Sequence, residues 1–155
     1  MQAEVTRELL DEQLEDIRSV ADTHGWQVDP DLESLTVEVT MESPDDGEEY
    51  IVRLECDGYD AEPPLVEMVD PETGDVGTPY AYFDDGLALT ANPDGPIICH
   101  RFNRHVYEES GIHDNWNDLS GWQQETGNLT NLGDILLYIH KRLQGPDYDG
   151  RYEER

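Results

Sequence analysis

The stretch LTVEVTMESPDDGEEYIVRLEC, residues 35–56, carries the pattern that decides the fold. Apolar residues alternate with polar ones on both sides of residues 43–47, which contain a proline, two aspartates and a glycine. A period of two is typical of strands with one buried face, and Ser-Pro-Asp-Asp-Gly is typical of turns. The stretch therefore predicts two antiparallel strands joined by a turn. The side chains predicted to face the core are Leu35, Val37, Val39, Met41, Tyr50, Val52, Leu54 and Cys56.

Residues 4–24, upstream of this hairpin, have the periodicity of an amphipathic helix. Acidic residues fill one face, and His24-Gly25 is a typical helix end. The sequence therefore predicts an N-terminal helix that ends before the first strand. The apolar face of this helix consists of Leu10, Leu14, Ile17 and Ala21.

Two more strands are predicted downstream, at residues 65–69 after a double proline and at residues 79–83 after a glycine-containing loop. We then expect a long loop rich in Gly, Asn and Pro, leading to Cys99, and a closing helix. Its apolar positions are Leu132, Ile135, Leu136, Ile139 and Leu143. This order predicts a single α+β domain over residues 1–145, with an N-terminal helix, a four-stranded antiparallel meander, a cysteine-bearing loop and C-terminal helices. Residues 146–155 are predicted to be a polar, loosely held tail.

The charge balance of the chain is extreme. Among 155 residues, 37 are Asp or Glu and 9 are Lys or Arg, which gives a formal net charge of -28. Repulsion between so many carboxylates opposes folding in dilute buffer, and at molar salt it is screened because the Debye length falls to about 3 Å. The balance resembles that of soluble proteins from halophiles. It also argues against nucleic acid or an anionic membrane as a partner.

The distribution of apolar residues and the number of cysteines indicate in which cellular compartment the protein is expected. The first residues hold no apolar run that could serve as a signal peptide, and no stretch approaches transmembrane length. We therefore expect a cytoplasmic protein. In a reducing compartment a disulfide between Cys56 and Cys99 is not expected, and Cys56, which shares the apolar face of its strand, is predicted to pack in the core.

The segment PIICHRFNRH, residues 96–105, concentrates the scarce positive charge around one cysteine. Residues 95–107 contain no Asp or Glu. Such a setting predicts a lowered thiol pKa at Cys99, and a histidine could act as general base toward an incoming amine. Two simpler interpretations are that the cysteine packs as a small apolar side chain and that the arginines pair with nearby carboxylates. The cationic side chains within six residues of Cys99 are His100, Arg101, Arg104 and His105.

Three motifs, in their order and spacing, resemble those of the ubiquitin-conjugating enzyme family, the E2 or UBC-like proteins. The first is Tyr59 followed by Pro63-Pro64 and a strand, and the second is Ile98-Cys99. The third is the pattern Leu-x-x-Ile-Leu-x-x-Ile over residues 132–139, followed by Pro146. Together with the predicted element order, these motifs identify the chain as resembling a diverged prokaryotic member of this family.

The resemblance implies a thioester function for Cys99. This residue would accept a small ubiquitin-like modifier, or another acyl group, from an activating enzyme. His100 or His105 would assist proton transfer, and Arg101 and Arg104 would lower the pKa of the thiol. The family's His-Pro-Asn tripeptide is missing, and the nearest candidate for its asparagine is Asn92, seven residues before Cys99 and followed by a proline.

Two other classes of function stay open at the level of the sequence. UBC-like proteins without a working cysteine act as binding modules, for which the aromatic residues after Cys99, including the tryptophan expected near the cysteine, could form a surface or close the core. The sequence offers for this role Phe102, Tyr107, Trp116 and Trp122. A zinc site is the second alternative, because thiolate and imidazole suit zinc, although the spacing is not a known signature. Its ligands would be Cys99, His100, His105 and His113; the favoured prediction includes no cofactor.

A smaller prediction concerns the acidic pairs of the sequence. Asp45-Asp46 and Asp84-Asp85 do not have the spacing of a calcium-binding loop. We therefore expect both pairs to lie on the solvated surface.

Overall fold

A computed structural model describes residues 2–59, 61–92, 95–108, 122–126, 129 and 131–153. The first half of the chain comprises α1 (Gln2–His24), β1 (Gln27–Asp31), β2 (Thr36–Glu42), β3 (Glu49–Glu55) and β4 (Leu65–Val69). The second half comprises a 3-10 helix (Pro79–Ala81), β5 (Ala88–Asn92), β6 (Gly95–Ile98), α2 (His105–Glu108), α3 (Trp122–Glu125) and α4 (Leu132–Gln144). None of the helices in the described part of the chain has the length and apolarity needed to cross a membrane.

Strands β1 to β4 form one antiparallel sheet in the order of the sequence. Val39 of β2 lies opposite Val52 of β3, and Val52 lies opposite Met68 of β4. These inward-facing side chains are almost entirely shielded from solvent. The α+β class, the N-terminal helix, the four-stranded antiparallel sheet and the C-terminal helix are therefore confirmed.

The position of one strand differs from the prediction. Residues 79–83 do not form a strand: Pro79–Ala81 is a 3-10 helix, and Phe83 makes only an isolated bridge with Arg151. The fourth strand of the sheet is instead β1, which contains Pro30 and two aspartates and alternates only between exposed and half-buried positions. A proline is tolerated at a sheet edge, where no ladder partner needs its missing N–H group. The edge position also explains why β1 has no apolar alternation.

The segment that precedes Cys99 is also more regular than predicted. Residues 88–98 were expected to be part of a long loop, yet β5 and β6 form a two-stranded antiparallel hairpin with Ala88 opposite Ile98. Ile97 and Ile98 are buried. Cys99 therefore directly follows the last residue of β6, and the hairpin fixes the position of its backbone.

Helices α1 and α4 pack against each other and enclose the core with the sheet. The apolar face predicted for α1 is buried, as are the predicted apolar positions of α4. A polar contact joins the two helices, because Gln13 accepts a hydrogen bond from the backbone N–H of Leu132 at 2.9 Å. The side-chain amide of Gln13 also contacts the hydroxyl of Tyr59, which is the tyrosine of the first E2-like motif. These contacts attach the start of α4 to the middle of α1.

The described part of the C-terminal segment, which extends to residue 153, packs on the domain and is not loosely held as the sequence suggested. The hydroxyl of Tyr148 lies 2.8 Å from that of Tyr50. The guanidinium of Arg151 lies 4.5 Å from the centre of the Tyr50 ring and donates to the carbonyl oxygens of Tyr80 and Glu49. The segment is polar in composition, so its sequence did not predict these aromatic and cation–π contacts.

A cluster of three rings joins the end of α1 to α4. The indole Nε1–H of Trp26 donates to Nδ1 of His140 at 3.2 Å, and the ring of His24 lies 4.7 Å from that of His140. His140 is buried, with 4% of its surface exposed. Burial and, to a smaller extent, the neighbouring His24 lower the pKa of His140. The folded protein therefore favours the neutral imidazole, which accepts the indole hydrogen bond.

This arrangement predicts a loss of stability in mild acid. Because the pKa of His140 is lower in the folded than in the unfolded chain, its contribution is complete above about pH 6.5 and is lost as the pH falls through the folded value. The loss of the indole hydrogen bond corresponds to about 1 kcal/mol. The measurement is urea unfolding in molar potassium chloride at pH 7.5 and 5.5, compared with a His140→Asn variant, whose side chain can accept the indole hydrogen but does not titrate. Equal pH dependence of the two proteins would show that His140 is not responsible.

Candidate functional site

Cys99 lies at the exit of β6, where its backbone is held by the opposite side of the hairpin. Its N–H group donates to the carbonyl oxygen of Leu87 at 3.0 Å. The side chain is of intermediate exposure, whereas Cys56 is completely buried. The two cysteines, which both lie in the described part of the chain, are not joined by a disulfide. Cys99 is therefore the thiol that a reagent or substrate can reach.

The electrostatic setting of Cys99 differs from the prediction. Burial raises the pKa of the Cys99 thiol, whereas the cationic neighbours were expected to lower it. The arginine and histidine side chains of this segment with described ion pairs are directed at carboxylates elsewhere in the fold. The positive charge of the segment is therefore partly neutralised in the fold, and burial leaves the Cys99 thiolate disfavoured at neutral pH.

Arg104 illustrates this neutralisation. Its side chain is 10% exposed, and Nη1 lies 3.0 Å from Oδ1 of Asp57. The backbone N–H of Arg104 donates to the carbonyl of Pro64, which fixes the residue next to the double proline. Burial raises the pKa of the Cys56 thiol to about 12. The charge of Arg104 acts on the same thiol in the opposite direction. Cys56 is thus a core residue, as predicted.

His105 begins α2 and is directed at the sheet. Its Nε2 atom lies 3.8 Å from Oε2 of Glu67 on β4, and both side chains are about one-fifth exposed. His105, which the sequence predicts to be a proton-transfer group, therefore has a carboxylate as a neighbour. This contact with Glu67 places the His105 side chain next to β4.

His100 is fixed in a defined orientation next to Cys99. Its ring stacks on the ring of Phe102, with centres 4.3 Å apart and planes at 20°, and lies 4.9 Å from the ring of Tyr138 on α4. The backbone N–H of Phe102 donates to Nδ1 of His100 at 3.3 Å. Burial, together with the charges of Arg142 and Arg101, lowers the pKa of His100. The fold therefore favours the neutral form of this imidazole at pH 7.

Asn103 organises this segment and was not recognised in the sequence. The side chain is completely buried, and its Oδ1 accepts the backbone N–H groups of Val66 at 2.9 Å and His105 at 3.2 Å. Its Nδ2 donates to the carbonyl of Ile98 at 2.9 Å. One amide thus joins β4, β6 and the start of α2. The only signal in the sequence is an asparagine in an apolar and basic segment, and such a residue is more common in turns.

Asp85 and Arg142 form a second anchor for the cysteine segment. The carboxylate of Asp85 is 1% exposed and accepts from Nε of Arg142 at 2.5 Å. Its other oxygen accepts the N–H of Leu87, the residue whose carbonyl receives the N–H of Cys99. The prediction that Asp85 lies on the solvated surface is therefore wrong. The reason is an arginine far away in the sequence that compensates for its burial.

A cleft of about 240 Å³ opens beside this pair. Tyr138 is part of its wall and also contacts the ring of His100, so the cleft lies next to the cysteine segment. The residues that line the cleft are Asp85, Tyr138, Lys141, Arg142, Gly145, Pro146 and Asp147. Both charge signs are present in the lining, although most of its exposed surface is apolar.

Several predicted site residues are outside the described part. Asn92 ends β5 opposite Gly95, and its side chain is outside the described residues, as are His113 and Trp116 altogether and the side chain of Tyr107. Within the described residues, no group of three or more His, Cys, Asp or Glu side chains is placed to hold a metal ion. The zinc alternative therefore gains no support from Cys99, His100 and His105.

Comparison with protein-family models finds no match to this chain, and comparison with curated proteins finds none either. The function must therefore be argued from the side chains and their chemistry. The feature that calls for an explanation is a reachable thiol at the end of a strand, with a neutral imidazole as its neighbour.

Proposed function

We propose that this α+β domain is a diverged UBC-like protein that carries an acyl group as a thioester on Cys99. The acyl group would be the C-terminus of a small ubiquitin-like modifier, delivered by an activating enzyme. The observation that carries the proposal is the part-exposed thiol of Cys99, whose backbone is held by Leu87 beside the fixed ring of His100. The three E2-like motifs and the order of helix, antiparallel sheet, cysteine and C-terminal helix support it.

The reaction is a thiol exchange. The Cys99 thiol loses its proton to solvent base, the thiolate attacks the carbonyl carbon of a donor thioester, and the donor thiolate leaves as the new carbon–sulfur bond is retained. A thiol of high pKa yields a strongly nucleophilic thiolate but a poor leaving group. The raised pKa of Cys99 therefore suits a carrier that holds its acyl group until an acceptor arrives.

The test uses a small donor, the thioester of N-acetylglycine with 2-mercaptoethanesulfonate, in molar potassium chloride. We expect the wild-type protein to gain one acetylglycyl mass that hydroxylamine removes, at a rate that rises with pH through about 8.5 and above. Cys56→Ser is the matched control and should be labelled like the wild type, whereas Cys99→Ala should not be labelled. Intact-protein mass spectrometry measures all three. Absence of labelling in wild type, under conditions in which iodoacetamide alkylates Cys99, would contradict the carrier function.

A second candidate is a non-catalytic UBC-like binding module. The observation that favours it is the raised pKa of Cys99, which keeps the thiol protonated at neutral pH. Such a module would position a modifier or another enzyme without a covalent step. It would then bind its partner equally well after Cys99→Ala, whereas a carrier would lose its labelled form.

A further inference from the structure

We propose that the buried carboxylate of Asp85 is a positioning residue for Cys99. It restrains the backbone that leads to the cysteine and thereby keeps the thiol, and an acyl group attached to it, partly shielded from solvent. This inference deepens the proposed carrier function and rests on it. Asp85 acts through the backbone of Leu87 rather than by contact with the acyl group, and its effect is to slow the loss of that group before an acceptor arrives.

A chain of hydrogen bonds connects Asp85 to the backbone of Cys99. The carboxylate is 1% exposed, and its Oδ1 atom accepts the N–H of Leu87 at 2.9 Å. The carbonyl oxygen of Leu87 in turn accepts the N–H of Cys99 at 3.0 Å. On the other side, Arg142 donates from Nε to Oδ2 of Asp85 and from Nη2 to its backbone carbonyl at 3.1 Å. Helix α4 is therefore connected through Asp85 and Leu87 to the residue that follows β6.

The turn at Gly86 allows the carboxylate to reach the N–H of Leu87. Gly86 has a φ of 92°, a left-handed conformation that glycine adopts without steric cost. A carboxylate that accepts the N–H group two residues further along the chain is typical of such turns. The turn fixes Leu87 directly before β5, whose first residue, Ala88, lies opposite Ile98. The carbonyl of Leu87 is thereby placed against the N–H of Cys99.

The peptide unit that joins Ile98 to Cys99 is held on both sides. Its N–H group donates to Leu87, and its carbonyl oxygen accepts from Nδ2 of Asn103 at 2.9 Å. Without the carboxylate of Asp85, the N–H of Leu87 loses its partner, and local opening on the Leu87 side becomes more frequent. Because burial raises the pKa of the Cys99 thiol, opening should bring that pKa back toward the ordinary value.

Two double variants separate the hydrogen-bond acceptor from the ion pair. Asp85→Asn with Arg142→Met and Asp85→Leu with Arg142→Met both lack the buried pair of charges, but only the Asn side chain can accept the N–H of Leu87. In a Cys56→Ser background and molar potassium chloride, we expect the Leu variant to react with iodoacetamide about 5–10-fold faster than the Asn variant. The pH midpoint of the reaction should also fall toward about 8.5 in the Leu variant. A general loss of stability would not produce this fall.

The acylated protein gives the functional readout. When Cys99 carries the acetylglycyl group, hydroxylamine should remove it about 5–10-fold faster from the Leu variant than from the Asn variant. Asn131→Ala is the matched control, because it loses the cap of α4 but keeps the hydrogen bonds of Asp85. We expect it to react like the wild type in both experiments.

Hydrogen exchange of the wild-type protein tests the same chain without a substitution. The amide hydrogens of Leu87 and Cys99 should be protected to a similar extent, since they open together. Equal alkylation and equal loss of the label in the two double variants, or an unprotected Cys99 amide, would overturn the positioning role while the thioester function stands. A faster Leu variant, together with a wild type that takes up no acyl group, would overturn the carrier function and retain only the control of thiol access by Asp85.

Discussion

Replacement of Asn103 by alanine is expected to lower the free energy of unfolding by about 3–5 kcal/mol, because buried backbone groups lose their partners. The N–H of Val66 and the carbonyl of Ile98 both lie in the core, and the N–H of His105 starts α2. An unsatisfied buried group costs about 1–3 kcal/mol, and the cavity left by the amide adds to this. The measurement is urea unfolding in molar potassium chloride, followed by tryptophan fluorescence.

Asn131→Ala is the matched control for this change. Asn131 is the N-cap of α4 and accepts one hydrogen bond, from the N–H of Asp134 at 2.9 Å. Loss of such a cap costs about 1 kcal/mol. The Asn103 variant should also alkylate Cys99 faster, because the segment between β6 and α2 is no longer held. Similar, small losses at both positions would show that Asn103 is not an anchor.

The parts of the fold that the sequence predicted are those with a complete local pattern. The alternation in β2 and β3 and the helical periodicity around Leu14 and Ile135 mark surfaces that are buried along a whole element. Strand β1 has no such pattern, since it lies at the sheet edge and contains Pro30. Tyr82 and Phe83 are buried but not in a sheet. Their apolar character reports burial by tertiary packing, which a sequence cannot distinguish from burial in a strand.

The sequence singled out Cys99 as the candidate site, but the lowered thiol pKa that it predicted is not found. Cys99 and His100 are adjacent in sequence and were recognised together. Burial raises the pKa of Cys99, burial together with Arg142 on α4 lowers that of His100, and Asp57 neutralises the nearby Arg104. A basic window in a sequence therefore does not by itself indicate an acidic thiol, because the fold brings carboxylates to it from distant segments.

Replacement of Arg142 by methionine should be the second change with a large effect. It leaves the carboxylate of Asp85 buried without its cation, and we expect a loss of about 2–3 kcal/mol at pH 7. This value is below the usual range for buried pairs, because one-third of the Arg142 side chain is exposed to solvent. Removal of the positive charge should also raise the pKa of His100, which can be followed by NMR titration.

Two comparisons make this expectation specific. Arg53→Met breaks ion pairs with Glu38 and Glu55 whose side chains are about 30% exposed, and it should cost less than about 1 kcal/mol. In an Asp85→Asn background the Arg142→Met change should also cost less, since no buried charge remains. A loss at Arg142 no larger than that at Arg53, or the same loss with and without the Asp85 carboxylate, would show that the pair does not hold α4 to the cysteine hairpin. A larger, carboxylate-dependent loss would mean that the pair of Asp85 and Arg142 holds α4 to the cysteine hairpin.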